Sequence, residues 1–541
     1  MIKKKPLNLA AAITAFSIVL SACTNNGIED VPVHSDAEST HGASSAIESE
    51  EQDANIRKFT LTAGPSRLDT GYSEVQDVWS YNGTVPGPPI EVLKGETVNI
   101  TLHNQLQVPT SVHWHGVPVP NEMDGIPGVT QNAVKPGESF TYEFVADTPG
   151  TYWYHSHQDS VNQLDLGLYG TFVVIDPAEQ YDKDYTIVLD EWMSSGTSDL
   201  MSMAMADVSG MQHTMPGMNH GNGHNNMKDS NMQSQHNMEE HDMQGQHNMQ
   251  EHDMSMYDLY TMNGKSGDAI TPLRVKEGDT VRLRLVNAGY ISHSLHLHGH
   301  DFKLITTDGQ PLNNPASISD QLIQIAPGER YDIVFEADNP GQWYLEEHGP
   351  EERIANMRLK LVYENDSSTQ DKSNWNEQLP VLDLTKYGEA SDMRFSLDQS
   401  YDVAYTMDLG TMMQEGGTTY TINDKVFPET SPISVKEGDQ VLVTLRNTSA
   451  KDDHPMHLHG HFFQVLSKNG EAIEGSPIIK DTINLKPGEE LVVAFEADNP
   501  GNWMFHCHDL HHASAGMVTK VLYSDYKSSF VNDPAAGNKP E

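Results

Sequence analysis

The sequence predicts an all-β chain of three consecutive Greek-key β-sandwich domains, and three observations carry that prediction. The first is alternation. From about residue 58, apolar and polar residues alternate with the two-residue period of a half-buried strand, as in Thr97-Val98-Asn99-Ile100-Thr101-Leu102. The second is punctuation: Gly and Pro turns recur throughout, and no stretch carries the apolar period of a long amphipathic helix. The third is an internal repeat. Val275-Lys276-Glu277-Gly278-Asp279 returns as Val435-Lys436-Glu437-Gly438-Asp439, and Phe335-Glu336-Ala337-Asp338-Asn339-Pro340-Gly341 returns as residues 495–501. Leu93-Lys94-Gly95-Glu96 and residues 144–150 form a third, weaker copy. Three copies of one strand-rich unit mean three domains of one design.

In chain order, residues 1–23 open with Lys3 to Lys5 and an apolar run to Leu20, too short to cross a bilayer and suited to a secretory signal. Leu20-Ser21-Ala22-Cys23 resembles a bacterial lipobox. Cleavage before Cys23 and lipid on its sulfur would leave an extracytoplasmic protein anchored to the cell membrane. Residues 24–57 are rich in Ser, Glu, Asp and Ala and read as a disordered tether. The domains are expected at 58–180, 181–367 and 368–525, divided where Glu, Asp, Ser and Asn accumulate, with a C-terminal tail at 526–541. Residues 193–262 interrupt the second domain as an insertion.

Within that insertion, residues 209–253 contain no Ala, Val, Leu, Ile, Phe, Tyr or Trp, but eight Met and seven His. Met usually fills gaps in cores, and this tract has no core to fill. Residues 235–243 nearly repeat as 246–254. Thioethers favour Cu(I), and imidazoles accept copper in either state.

The chain of 541 residues carries 33 Lys plus Arg against 77 Asp plus Glu, a formal charge of −44. Such a field repels phosphate backbones, so nucleic acid is excluded as a partner, whereas cations are attracted. We expect a monomer.

The chemistry concentrates in His506-Cys507-His508-Asp509-Leu510-His511-His512-Ala513-Ser514-Ala515-Gly516-Met517. Cys507 is one of only two cysteines. A thiolate, an imidazole (His512) and a thioether (Met517) on one short loop match a blue-copper site, which takes two His, one Cys and a weak axial Met. On a strand, His506 and His508 share one face and Cys507 faces the other, so one tripeptide can serve two metal sites. The same parity places His457 and His459 on one face and His454 on the other, where His454 can join Cys507. The pairs His113/His115 and His155/His157 each present two imidazoles to one side.

Together these four motifs resemble, in order, those of the multicopper oxidases (laccases, ascorbate oxidase, bacterial cuprous oxidases) over about residues 60–525. The resemblance implies three cupredoxin-like domains and four copper ions: one type 1, one type 2 and two type 3. It assigns His454, Cys507, His512 and Met517 to type 1, and His113 and His457 to type 2. His115, His155, His157, His459, His506 and His508 go to the type 3 pair. Met517 as axial ligand implies a potential low in the family range. Asp124 matches the family's acidic residue that feeds protons to the trinuclear centre. Many bacterial members carry a glutamate just after the second type 1 histidine; here that position is Ala513. With Cys23 lipidated and Cys507 on copper, no disulfide remains, so stability must come from the core and the metals.

The second domain carries His293-Ser294-Leu295-His296-Leu297-His298-Gly299-His300, which mirrors 454–461, but it has Glu346-Glu347-His348 where the third has His506-Cys507-His508. Lacking a thiolate, it reads as a relic of duplication with structural histidines; the alternative is an auxiliary copper site. The expected activity is oxidation of Cu(I) coupled to reduction of dioxygen to water, for copper tolerance. Met-rich insertions serve bacterial cuprous oxidases as Cu(I) collectors. The alternative donor is a phenol or aromatic amine, as for a laccase. A binding or scaffold protein without turnover is disfavoured because the ligand set is complete.

Overall fold

The computed structural model describes residues 55–198, 200–202, 204–205, 256–364, 371, 378–414 and 417–541. The expected signal, the lipobox, most of the tether and the 209–253 tract lie outside the described residues. Among the described residues, no helix is long and apolar enough to cross a membrane.

Three β-sandwiches follow one another, each of two sheets. In the first, Ile56–Leu68 runs parallel to Glu96–Asn104 and antiparallel to Gln76–Tyr81, and Ser139–Ala146 completes the sheet. The facing sheet orders Gly87–Leu93, Tyr169–Ile175, Gly150–His155 and His113–His115. Alternation does what the sequence predicts: in Glu96–Asn104, Val98, Ile100 and Leu102 are buried, and the residues between them are not.

The second and third sandwiches share one strand order. Lys183–Trp192 lies parallel to Thr280–Asn287, as Val403–Gln414 lies parallel to Gln440–Asn447. Their second sheets order Leu273–Val275, Arg358–Tyr363, Gln342–Glu347, His293–Leu297, Ile323–Ile325 and, correspondingly, Ile433–Val435, Val518–Tyr523, Asn502–Cys507, His454–Leu458, Thr482–Leu485. The repeated sequence segments therefore mark repeated topology. The fold is all-β and cupredoxin-like.

Two boundaries differ in detail from the sequence reading. Leu259–Met262 is not part of an insertion; it pairs antiparallel with the end of Lys183–Trp192, Leu259 opposite Trp192. Four residues beside a Met-rich tract are too few to show a period. The tether also ends early, because the first strand begins at Ile56. Between the second and third domains the chain does not break cleanly. Leu382 N–H donates to the Leu322 carbonyl, and Tyr387 OH donates to the Ala316 carbonyl. Glu474 N–H from the third domain donates to the Thr385 carbonyl, so residues 382–387 strap the two domains together.

Candidate metal centre

The first and third sandwiches each present two histidine-bearing strands to one buried space. His113–His115 pairs with Gly150–His155, which sets His113 opposite His155. His454–Leu458 pairs with Asn502–Cys507, which sets His457 opposite His506 and Met456 opposite Cys507. Strand parity then turns His113, His115, His155, His157, His457, His459, His506 and His508 toward one another, all buried. Across the interface His113 stacks on His459 at 4.0 Å and His115 on His457 at 3.7 Å between ring centroids. Ring nitrogens converge in three sets: His113, His115 and His457; His115, His155 and His508; His157, His459 and His506. Within each set the candidate ligand atoms lie within 4.8 Å of one another.

One nitrogen of most of these rings is committed and the other is left bare. Nδ1–H of His113 donates to the Asp124 carbonyl (2.8 Å), of His155 to the Ser156 carbonyl (2.9 Å), and of His457 to the Asp481 carbonyl (3.1 Å). Nδ1–H of His506 donates to the Cys507 carbonyl (3.0 Å) and of His157 to the Pro540 carbonyl (2.5 Å). A carbonyl can only accept, so each bond fixes the tautomer and turns a lone pair inward. The inward Nε2 atoms of His113, His155, His157 and His457, Nδ1 of His115, and both ring nitrogens of His508 have no hydrogen-bond partner. Buried polar atoms are rarely left so. Burial, followed by neighbouring imidazoles, pushes His115, His155, His459, His506 and His508 well below the ordinary histidine range. Burial takes His157 down to about 3. Neutral imidazoles, oriented from behind by carbonyls and aimed at common points, are what a late transition metal requires.

On the other face of the same strands, Cys507 Sγ lies 3.6 Å from His512 Nδ1 and 3.9 Å from His454 Nδ1, and those two nitrogens are 3.2 Å apart. His454 Nε2 meets the Ser449 hydroxyl at 2.7 Å, and Tyr420 stacks on His512 at 3.8 Å. Asp509 caps the short helix Leu510–Ser514 by accepting from His511 N–H, and its other oxygen lies 3.3 Å from His512 Nε2. Met517 is fully buried in the same apolar cluster as Cys507, and its carbonyl accepts from Cys507 N–H at 3.1 Å. Burial raises the Cys507 thiol well above its usual range, so ionisation there calls for a cation. Two imidazoles, a buried sulfur and a neighbouring thioether fit a mononuclear copper.

Models of multicopper oxidase domains match residues 65–179, 183–364 and 397–527, which together make up most of the chain. The chain belongs to the multicopper oxidase family. A multicopper oxidase of Mycobacterium tuberculosis, MmcO, is 31% identical, with 86% of each chain covered. Laccase-2 of Botryotinia fuckeliana is 29% identical over 86% of this chain and 82% of its own. The crystal structure of a multicopper oxidase from Pseudomonas thermotolerans superposes with TM-score 0.61 at 27% identity, covering 87% of this chain and all of the other. This multicopper oxidase is therefore a copper-dependent enzyme that passes electrons from a reductant to dioxygen.

The structure brings all ten sequence-predicted histidines and Cys507 together in these two adjoining groups, and buries Met517 in the same apolar cluster as Cys507. Asp124 lies behind them. Its Oδ2 accepts from His459 Nδ1 at 3.1 Å, its Oδ1 is 3.3 Å from His113 Nδ1, and its carbonyl holds the same His113 nitrogen. Asp124 thus positions one imidazole from each domain. Asp124→Asn puts an amide N–H where one of those imidazole N–H groups needs an acceptor. We expect copper content near normal, bleaching of the blue colour by donor unchanged, and dioxygen reduction slowed about 10–100-fold. Single-turnover reoxidation measures the last step, and full-speed reoxidation would show that the Asp124 carboxylate takes no part in dioxygen reduction. Ala513 packs with Ile126 and Val129 of the first domain in a closed apolar contact.

The sequence reading missed three residues of the oxidase. Asp481 Oδ1 lies 3.3 Å from both His115 Nε2 and His457 Nδ1. Its carboxylate is gripped at both oxygens, 2.7 and 2.6 Å, by Arg330 of the second domain. Burial opposes ionisation, but the guanidinium prevails and holds the Asp481 carboxyl well below the usual range. Gly116, directly after His115, is required here: a Cβ on it would sit 2.2 Å from Arg330 Nη2, and its φ is +78°. The third is Glu541. The tail crosses the first domain through Asn538 and Lys539, and the Glu541 carboxylate reaches 3.4 Å from His506 Nδ1 while accepting from Ser160 Oγ. Burial raises its carboxyl to about 8. No local pattern marks any of the three.

Proposed function

We propose that this oxidase takes single electrons from Cu(I) and delivers them to dioxygen, which is reduced to water, and that it thereby protects the cell envelope from copper. The four bound coppers would supply one-electron acceptance at one site and storage of four electrons at the other. His454, Cys507, His512 and Met517 would hold the first copper, His113 and His457 the second, and the remaining six histidines the pair. Within that pair, the geometry supports His115, His155 and His508 on one ion and His157, His459 and His506 on the other. Cys507 is joined through its own backbone to His506 and His508, so the two sites are covalently continuous. Asp124 and Asp481 keep the imidazoles turned inward, and the Arg330 charge keeps Asp481 ionised beside them.

One observation carries the choice of Cu(I) as donor. Tyr257 stands four residues after the last residue of the Met/His tract. Its hydroxyl lies 3.2 Å from Nε2 of His511, which neighbours the copper-binding candidate His512 on the same short helix, and donates to Asp165 at 2.7 Å. Tyr257, which follows the tract in sequence, is thus fastened to the element that would admit electrons. Thioethers beside this entry would raise the local Cu(I) concentration, and the strongly negative chain would add to the attraction, an effect that salt weakens. Oxygen uptake with limiting Cu(I) and with a phenol tests this on intact protein and on protein lacking residues 209–253. We expect the deletion to lower Cu(I) oxidation and raise phenol oxidation. Unchanged Cu(I) kinetics, or an intact enzyme that prefers phenols, would favour a laccase, the activity named for several relatives.

Placement outside the cytoplasm on a lipid anchor is part of the same proposal, supported by Leu20-Ser21-Ala22-Cys23. Cys23→Ala should release the enzyme from membranes or block its maturation. Unchanged detergent-dependent fractionation would contradict the anchor.

A further inference from the structure

The second domain copies the third so closely that its histidines divide into two kinds. His300 repeats His461: each Nδ1–H donates to the carbonyl two residues back at 3.1 Å, and each Nε2 meets a tyrosine hydroxyl, Tyr363 or Tyr523, at 2.7 Å. Both nitrogens are spent, and the residue is structural. His293 takes the place of His454, and Glu347 that of Cys507, down to the backbone bond from Glu347 N–H to the Met357 carbonyl that repeats Cys507 to Met517. His293 is buried between Glu347 (3.2 Å) and Glu191 (3.7 Å), which raise its pKa to about 9 against burial. An imidazolium between carboxylates is a salt bridge, and the blue-copper position is closed in this domain.

The other face is different. His296, His298 and His348 stand where His457, His459 and His508 stand in the third domain. His296 Nδ1–H donates to the Gln321 carbonyl at 2.9 Å, as His457 does to Asp481, and so turns its other nitrogen inward. His298 Nε2 faces His348 Nε2 at 3.1 Å, much as His459 Nε2 faces His506 Nε2 at 3.0 Å. The rings of His296 and His298 lie edge to face at 4.7 Å. Glu346, in place of His506, is fully buried. Its Oε2 is held by Arg358 Nε at 2.6 Å, and its Oε1 pairs with His298 Nε2 at 2.8 Å; both contacts hold its carboxyl below the usual range against burial. Glu346 Oε1 and His348 Nε2 thus both converge on His298 Nε2, at 2.8 and 3.1 Å.

We propose that His296, His298, His348 and Glu346 form a mononuclear binding site for a late transition cation, Zn(II) or Cu(II), in the second domain. Three imidazoles and one carboxylate are a complete tetrahedral set for such an ion, whose donors stand about 3.3 Å apart at bond lengths of about 2.0 Å. The 2.8 and 3.1 Å separations need only a small opening to reach that spacing. Arg358 on Oε2 and the Gln321 carbonyl on His296 are the outer contacts that orient such ligands. His296 is pushed by burial to about 4, so its lone pair is available at neutral pH. His348 is half-buried and gives the ion a way in. The site needs none of the residues of the first and third domains, so it stands or falls independently of the oxidase centre.

The test is metal content of the full-length, copper-loaded enzyme after equilibration with Zn(II) and dialysis, with His348→Ala and Glu346→Gln compared with wild type. His348 is chosen because it is the least buried ligand and its loss leaves the core intact. Blue absorbance and copper content report folding. We expect wild type to retain about one more metal ion per chain than His348→Ala, with Glu346→Gln retaining it more weakly. Equal zinc plus copper content in wild type and His348→Ala would overturn the proposal. Diffraction at the zinc and copper edges on wild-type crystals decides the matter without variants: a peak among the four side chains at either edge supports the site, and no peak there at both overturns it.

Discussion

Cys507→Ser should give a folded, colourless protein with no turnover above background. The thiol is fully buried, 3.6 and 3.9 Å from the two imidazole nitrogens that would share its metal. A serine hydroxyl at that place is a hard, neutral oxygen and cannot replace a soft thiolate, so the absorption that depends on sulfur-to-copper charge transfer disappears. The hydroxyl is also buried in an apolar cluster with Met517 and Phe505, at a cost of about 1–3 kcal/mol when unpaired. The eight-histidine cage lies on the opposite strand face and should keep its copper, so total copper should fall by only about a quarter. Absorbance, copper content and oxygen uptake measure the three effects. A variant that stays blue would refute the assignment of Cys507.

Arg330→Met should be the most destabilising single change outside the histidines. The guanidinium is fully buried, binds both Asp481 oxygens and donates to the Thr151 and Gly328 carbonyls. Removing it leaves a buried carboxylate without its partner, which costs about 3–5 kcal/mol. Asp481 would then take up a proton and loosen its hold on His115 and His457. We expect a lower melting temperature together with loss of copper from the cage, while the blue absorbance persists. The pair of changes Arg330→Met and Asp481→Leu should recover much of the stability, because the two partners leave together and buried Asp308 keeps Lys480 at 3.1 Å, but not the copper. Recovery of both would show that Asp481 does not orient the cage.

Arg330 also shows what a sequence conceals. The sandwich fold was legible because strands repeat every two residues and the domain repeats three times. The ten histidines and Cys507 were legible because each falls in a short motif with simple strand parity, although the motifs that meet lie far apart in the chain. Arg330, Asp481 and Glu541 act only through contacts between segments far apart in the chain, and no spacing records such a meeting. The same limit applied to the second domain. Its histidines could be aligned with those of the third, but only the hydrogen bonds separated His293 and His300 from His296 and His298. Leu259–Met262 was hidden for a plainer reason: four residues carry too little pattern to stand out beside a methionine-rich run.

Two groups of side chains, one on each face of the third domain's histidine-bearing strands, would hold the oxidase's copper. Diffraction at the copper edge on crystals of the holoenzyme tests it most directly. We expect one peak bounded by His454, Cys507 and His512, and three inside the cage: one at His113 and His457, one at His115, His155 and His508, and one at His157, His459 and His506. A cage with a single peak, or no peak beside Cys507, would contradict it.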